Sequence, residues 1–265
     1  MFIEQAPVLE NREIAQNVRT IRIESKAIAE AVQPGQFLNI RPDHSYDPLL
    51  RRAYSVHRIP APNVVELIYN VHGKGSKIFA AKGEGDLLDV MGPLGVPFHV
   101  NNPFKRAILI SGGLGIAPMP ILGDSLTARG IAVDNIHGAR SAEMLVDDGR
   151  LVNPIFATDD GSAGVHGTVV DALAGLLDET GDTAGTRLFA CGPNRMLSAL
   201  ADFAKNRGLQ LEVSLECQMA CGIGICQGCP VRMSGVDTRY DLVCRQGPNY
   251  DVNDIVLSSL PIEHG

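Results

Sequence analysis

Five of the six cysteines, Cys217, Cys221, Cys226, Cys229 and Cys244, fall within 28 residues near the end of the 265-residue chain. Cys221, Cys226 and Cys229 are spaced C-x4-C-x2-C, and Cys244 follows after 14 intervening residues. Four thiolates in that order match the plant-type spacing for a 2Fe–2S cluster. A loop that wraps an inorganic core must bring backbone N–H groups close to its sulfurs, and Gly222, Gly224 and Gly228 permit the dihedrals this needs. The alternative is structural zinc, whose sites usually pair two short C-x2–4-C knuckles across a spacer. Here three cysteines crowd together and the fourth stands alone. Cys217 is spare, and reads more simply as a buried or redox-silent thiol beside the cluster than as a ligand.

Two other stretches can bind a redox cofactor. Arg52-Ala53-Tyr54-Ser55 offers a guanidinium for a flavin phosphate, an aromatic ring for stacking and a hydroxyl for a ring nitrogen. Leu67 and Tyr69, on a nearby alternating segment, are further candidates for the flavin wall. Gly73-Lys74-Gly75-Ser76 precedes a short helix candidate, so Gly75 and Ser76 stand where backbone N–H groups can receive a pyrophosphate. Taken alone, that element is as well read as a plain glycine turn. Ser111-Gly112-Gly113-Leu114-Gly115-Ile116-Ala117-Pro118 follows an apolar strand and opens a helix, the setting in which a glycine-rich turn binds nucleotide. Its spacing is not G-x-G-x-x-G. Gly138-Ala139-Arg140-Ser141 and Cys191-Gly192-Pro193 end later strands and are expected at the same crevice. Arg140 then suits a ribose or phosphate. Cys191 is either a residue beside the nicotinamide ring or a buried apolar cysteine. Asp159 and Asp160 read as turn formers before ribose contacts.

The elements that must position these residues change character along the chain. Residues 1–102 contain short period-two segments, among them Thr20–Ile23, Gln36–Ile40 and Val65–Tyr69, broken by Pro, Gly, Asn and Asp. They predict an antiparallel flavin-binding β-barrel, with a short helix over residues 76–82. From 103 to 212 the pattern becomes strand–helix alternation. Ala107–Ile110 is a continuous apolar run, Ile131–Gly138 and Arg187–Ala190 are further strands, and Thr168–Leu177 is a helix. This predicts a doubly wound α/β domain with a parallel sheet, the nicotinamide domain. Residues 213–265 make a small cluster-binding domain.

A hydrophobic share of 45% and a charged share of 20% are ordinary for a globular protein with its own core. The formal charge of −7 argues against a general nucleic-acid or anionic-membrane binder. No apolar run is long enough for a membrane span, and the opening MFIEQAPVLENREI lacks the basic start and apolar core of a signal peptide. A cytoplasmic protein is expected.

The order barrel, R-x-Y-S, G-x-G-S, G-G-L-G-I-A-P, C-G-P and cysteine tail resembles the ferredoxin–NADP reductase superfamily over nearly the entire chain. The tail narrows the likeness. Ser214-Leu215-Glu216, Met219-Ala220-Cys221-Gly222-Ile223-Gly224, Cys226, Gly228-Cys229, and Val243-Cys244 with Gly247-Pro248 are similar to the electron-transfer subunits of class 1B dihydroorotate dehydrogenases. The resemblance implies FAD at Arg52, Tyr54, Ser55, Gly75 and Ser76, a 2Fe–2S cluster on Cys221, Cys226, Cys229 and Cys244, and NAD as exchangeable substrate. It also implies a partner, an FMN-containing catalytic subunit, with two copies of each. Ala53 stands where many relatives have proline, and Cys217 where a non-cysteine is expected. Other readings are the small subunit of a transhydrogenase or sulfhydrogenase, or an oxygenase reductase. A reading of another class is a non-catalytic redox sensor or zinc-bound interaction module. No residue recommends itself as a base for dihydroorotate.

Overall fold

The computed structural model describes residues 1–147, 149–181, 183–236 and 238–260. Its first part is a closed antiparallel barrel of six strands which, numbered along the chain, run 1-2-5-4-3-6 around it. The strands are β1 (Phe2–Ala15), β2 (Val18–Glu24), β3 (Phe37–Arg41), β4 (Arg52–Ala61), β5 (Val64–Asn70) and β6 (Leu87–Leu94). Alternation places Ile21, Ile23, Leu38, Ile40, Val56, Val65, Leu67, Leu88 and Val90 in one interior core. Closure also leaves no open sheet edge. Two short helices, α1 (Lys26–Ala31) and α2 (Lys74–Ala80), accompany the barrel.

The second part is a largely parallel sheet with helices α3 (Met119–Ala128), α4 (Val169–Thr180) and α5 (Asn194–Arg207). Its strands are β7 (Arg106–Gly112), β8 (Ala132–Ala139), β9 (Pro154–Thr158), β10 (Val165–His166), β11 (Thr186–Cys191) and β12 (Gln210–Ser214). Ala107, Ile108, Leu109 and Ile110 on β7 are all buried, as expected for a central strand covered on both faces. Helix α4 starts where the sequence predicts. Thr168 caps it, and Asp171 returns the bond to the Thr168 N–H.

The tail forms the small antiparallel pair β13 (Pro230–Arg232) and β14 (Tyr240–Leu242), followed by β15 (Asn249–Asp251). Strand β15 pairs antiparallel with β12 and becomes the outer strand of the large sheet, whose order is β10-β9-β8-β7-β11-β12-β15. The cysteine segment therefore leaves the large sheet and returns to it. An expected division at residue 213 thus meets a chain that shares both its sheet and its core across that point. Residues 261–265 of the expected third domain lie outside the described residues.

Candidate functional site

One cavity of about 570 Å³ lies where all three parts meet. Its barrel wall is Arg52, Ala53, Tyr54 and Ser55 on β4, with Tyr69 on β5 and Gly73–Ser76 at the start of α2. Leu114, Ala117 and Cys191 close it from the parallel-sheet part, and Leu215–Met219 from the segment that leads to the cysteines.

The barrel wall has features that suit a phosphate-bearing flavin. A Cβ at Gly75 would stand 2.7 Å from Arg52 Nε, so a side chain there would push the guanidinium away from this turn. Arg52 also donates to the Leu50 carbonyl, and Lys74 pairs with Asp47 beside it. Ser76 Oγ accepts from the N–H groups of His72 and Gly73, closing the turn that opens α2. Tyr54 stacks on Phe79 with centroids 4.9 Å apart and meets Tyr69 edge-on at 5.9 Å. Phe79 therefore occupies one face of the ring expected to stack on a flavin, and Tyr54 remains half-buried on the cavity wall. Burial raises the Tyr54 phenol above its usual range. Tyr69 donates its hydroxyl to Asn11 Oδ1 at 2.9 Å. Leu67 does not reach the cavity wall. It sits two residues back on the inward face of β5, fully buried in the barrel core, because period-two alternation that keeps Tyr69 inside does the same for Leu67.

Parallel pairing aligns the other wall. Ser111 is level with Cys191 and with His137, Gly112 with Gly138, and Cys191 with Ser214, so these residues share the carboxyl edge of the sheet. A Cβ at Gly115 would fall 2.2 Å from the Cys191 carbonyl oxygen, and one at Gly112 would fall 2.7 Å from Met196 Sδ. Gly113 adopts a φ of +53°. The glycines thus let the turn lie directly on the end of β11. Cys191 Sγ is 3.8 Å from Glu216 Oε1. Arg140 is exposed just beyond β8 and lies off the cavity wall. Asp160 Oδ1 accepts from the Ser162 N–H and hydroxyl, the turn-forming role expected of it.

The cysteines divide into pairs. Cys229 and Cys244 are buried with their sulfurs 3.3 Å apart. Cys221 and the exposed Cys226 share the preceding loop, where Cys221 Sγ accepts the N–H groups of Cys226 at 3.4 Å and Ile223 at 3.5 Å. Desolvation works against the Cys221 thiolate, but those N–H groups outweigh it and hold the thiol down to about 6. Burial, then the neighbouring Cys229, push the Cys244 thiol up to about 12. Among the described residues no three ligating side chains converge on one point, as a mononuclear site requires. A binuclear cluster needs two pairs instead, and backbone donors aimed at cysteine sulfurs suit its thiolates. Cys217 lines the cavity and packs against this core. Burial, then the neighbouring Cys229 and Cys244, push its thiol up to about 12.

Residues 216–256 match the model of the iron-sulfur cluster binding domain of dihydroorotate dehydrogenase B. The chain is 35% identical over 260 residues to the dihydroorotate dehydrogenase B (NAD(+)) electron transfer subunit of Bacillus caldolyticus, covering 96% of this chain and 98% of the relative. The chain belongs to this family of electron transfer subunits. Its relative of the same description in Fusobacterium nucleatum is 35% identical over 263 residues, covering 97% and 100% of the two chains. The solved structure of an NADH-dependent reduced ferredoxin–NADP oxidoreductase superposes with a TM-score of 0.85 at 27% identity, covering 97% of this chain and 91% of the other. The family work is electron transfer in an NAD-linked oxidoreductase, beside a catalytic partner and with an iron–sulfur domain at the C-terminal end. Among the described residues no helix is long and apolar enough to cross a membrane.

Leu50, Leu114, Ala117 and Glu216 all line the cavity, yet Leu50 is not singled out in the sequence and the other three enter only as members of the glycine-rich turn and of the Ser214-Leu215-Glu216 stretch. For Glu216 a signal exists: it follows closely on the β12 strand, level with the strand end that carries Cys191. Leu50 carries none, because apolar residues near turns are common.

Proposed function

We propose that this chain carries electrons from an FMN-containing dihydroorotate dehydrogenase subunit to NAD+, with FAD in the cavity and a 2Fe–2S cluster on Cys221, Cys226, Cys229 and Cys244. The observation that carries this reading is the single cavity bordered by the R-A-Y-S strand, the nicotinamide turn and the segment leading to the cysteines. Nicotinamide takes a two-electron hydride, a 2Fe–2S cluster passes single electrons, and a flavin does both, so its place is between them.

The residues supply position. Arg52 gives a fixed positive fork at the phosphate end, with Gly75 clearing space for it. Tyr54, stiffened by Phe79, and Ser55 form the wall against the ring. Gly112, Gly113 and Gly115 bring the nucleotide-binding turn close to Cys191, so a nicotinamide entering along the sheet edge meets the cavity beside that thiol. Cys229 and Cys244 are close enough to share one iron, which leaves Cys221 and Cys226 for the other. Arg140, exposed past β8, is suited to the ribose end of the nucleotide. Two copies of each subunit and a cytoplasmic location complete the proposal.

The likeness to a ferredoxin–NADP oxidoreductase favours a second reading, the same machine serving another donor. An anaerobic visible spectrum of the purified chain, with metal analysis, tests the core. Flavin and iron–sulfur absorbance that bleach on adding NADH support it, and a colourless protein with stoichiometric zinc overturns it. Dihydroorotate-dependent NAD+ reduction in the presence of the partner, absent with reduced ferredoxin as donor, separates the two readings.

A further inference from the structure

Asn39 is a polar residue on the outer face of the barrel, yet it is fully buried. Its neighbours Leu38 and Ile40 point inward to the barrel core, so Asn39 points out. The cysteine loop covers it. Asn39 Nδ2 donates to the Cys221 carbonyl at 3.0 Å, and since a carbonyl only accepts, the orientation of the amide follows from chemistry. The loop is shaped to receive it. Gly222 has a φ of +71°, and a Cβ there would stand 2.5 Å from Asn39 Nδ2.

The contact is not one that stability alone selects. Asn39 Oδ1 is buried without a hydrogen-bond partner among the described residues. An orphaned acceptor of this kind is a cost that an apolar side chain would avoid, and a cost retained in a buried position asks for another role.

The other side of Asn39 faces the flavin strand. In the β3–β4 register it stands opposite Ala53, with Ile40 opposite Arg52 and Leu38 opposite Tyr54. Its backbone carbonyl accepts from Arg51 Nη1 at 3.3 Å, and Arg51 is itself fixed to Asp89 at 2.7 Å. One residue therefore joins the strand that carries Arg52–Ser55 to the backbone of the first cysteine of the cluster motif.

We propose that Asn39 is a positioning residue that fixes the Cys221 loop against the flavin-binding strand and so sets the alignment for electron transfer between the two sites. This inference rests on the reading of FAD at Arg52–Ser55 and of a cluster ligated by Cys221. Without the amide donor the aligned loop competes with displaced arrangements. Leaving one buried carbonyl unpaired lowers the aligned population by about tenfold.

The test uses the full chain with flavin and iron bound, in Asn39→Leu, which keeps a similar size and removes the donor without adding a charge, and in Gly222→Ala, which pushes on the same contact from the loop. Anaerobic stopped-flow mixing with NADH follows flavin and iron–sulfur absorbance separately, with iron and flavin content and the electron paramagnetic resonance spectrum of the reduced cluster measured alongside. The expected result is flavin bleaching within about twofold of the unaltered protein, cluster reduction slowed about tenfold, an altered cluster spectrum, and full iron and flavin content. Cluster reduction at the unaltered rate in both variants overturns the proposal. So does equal slowing of both phases, or loss of iron, because Asn39 would then only hold the loop folded. If the unaltered protein shows no flavin bleached by NADH, the functional reading itself falls, and that outcome is visible before any variant is made.

Discussion

His137 offers a quantitative test of how the nicotinamide half is held together. It is fully buried on β8 with its Nδ1 2.9 Å from Ser111 Oγ, at the head of the glycine turn. Its Nε2 accepts the Val146 N–H at 3.2 Å, so this nitrogen carries no proton in the folded protein. Burial lowers the imidazole to about 4, while Asp147 and Ser111 pull weakly the other way. An unfolded histidine titrates near about 6.5. The folded group stays neutral where the unfolded one is protonated, so the unfolded state binds more protons between those values. The contribution is complete above pH of about 6.5, falls as pH drops, and reaches its full loss below about 4. At pH 5 the loss is about 2 kcal/mol, and the whole interval of two to three pH units is worth about 3 kcal/mol. His137→Gln keeps a donor and an acceptor but has no proton to gain. Urea unfolding of both proteins at pH 7.5 and pH 5, followed by circular dichroism, isolates the effect from the acid sensitivity they share. The unaltered protein should lose about 2 kcal/mol more than the variant over this range. Equal losses would refute the assignment of a neutral histidine bonded to Val146.

Three further outcomes follow from the site. Arg52→Ala should weaken flavin retention by about ten- to a hundredfold, the value of a charge-assisted bond to phosphate, with Gly75→Ala giving the same phenotype; the flavin-to-protein ratio after dialysis checks both. Gly115→Ala drives a Cβ into the Cys191 backbone, so KM for NADH should rise about tenfold or more, whereas dithionite should still reduce the cluster fully. Cys226→Ser and Cys229→Ser should lose most of the bound iron, while Cys217→Ser keeps it, and iron analysis that shows the reverse would reassign the ligands.

Much of the fold is legible because both of its patterns are strong. Period-two segments over residues 1–102 become the barrel, and the apolar run Ala107–Ile110 becomes the central strand β7. The glycine turn is legible too, since Gly112, Gly113 and Gly115 each stand where a side chain would strain or collide. Leu67 shows where such reading stops. Alternation states which face a residue takes, but not how far along that face the cavity extends. Tyr54 shows a second limit, because its partner Phe79 comes from α2 and no local pattern links the two. The role of Asn39 is likewise invisible in sequence: an asparagine within a short strand gives no sign that a loop 182 residues away will cover it.

The path of the tail explains why such long-range contacts matter here. A cluster on a free C-terminal extension could sample many positions, and the arrival of electrons would depend on how often it swung close. This chain removes that freedom. The cysteine segment leaves from β12 and returns as β15 beside the same strand, so both its ends are fixed to one sheet. Leu215 N–H donates to the Pro248 carbonyl across the base of the segment at 2.9 Å. Asn249 then reaches the barrel side, donating to the carbonyls of Gly35 at 3.1 Å and Val96 at 2.7 Å. Gly35 must be glycine for this, since a Cβ there would meet Asn249 Nδ2 at 2.3 Å. With Asn39 holding the opposite end of the loop, the segment is fastened to both larger parts at separate points. Single bonds of this kind are each worth about 1 kcal/mol, but bonds to separate rigid elements restrict different motions. The arrangement therefore favours a fixed electron path over a swinging one.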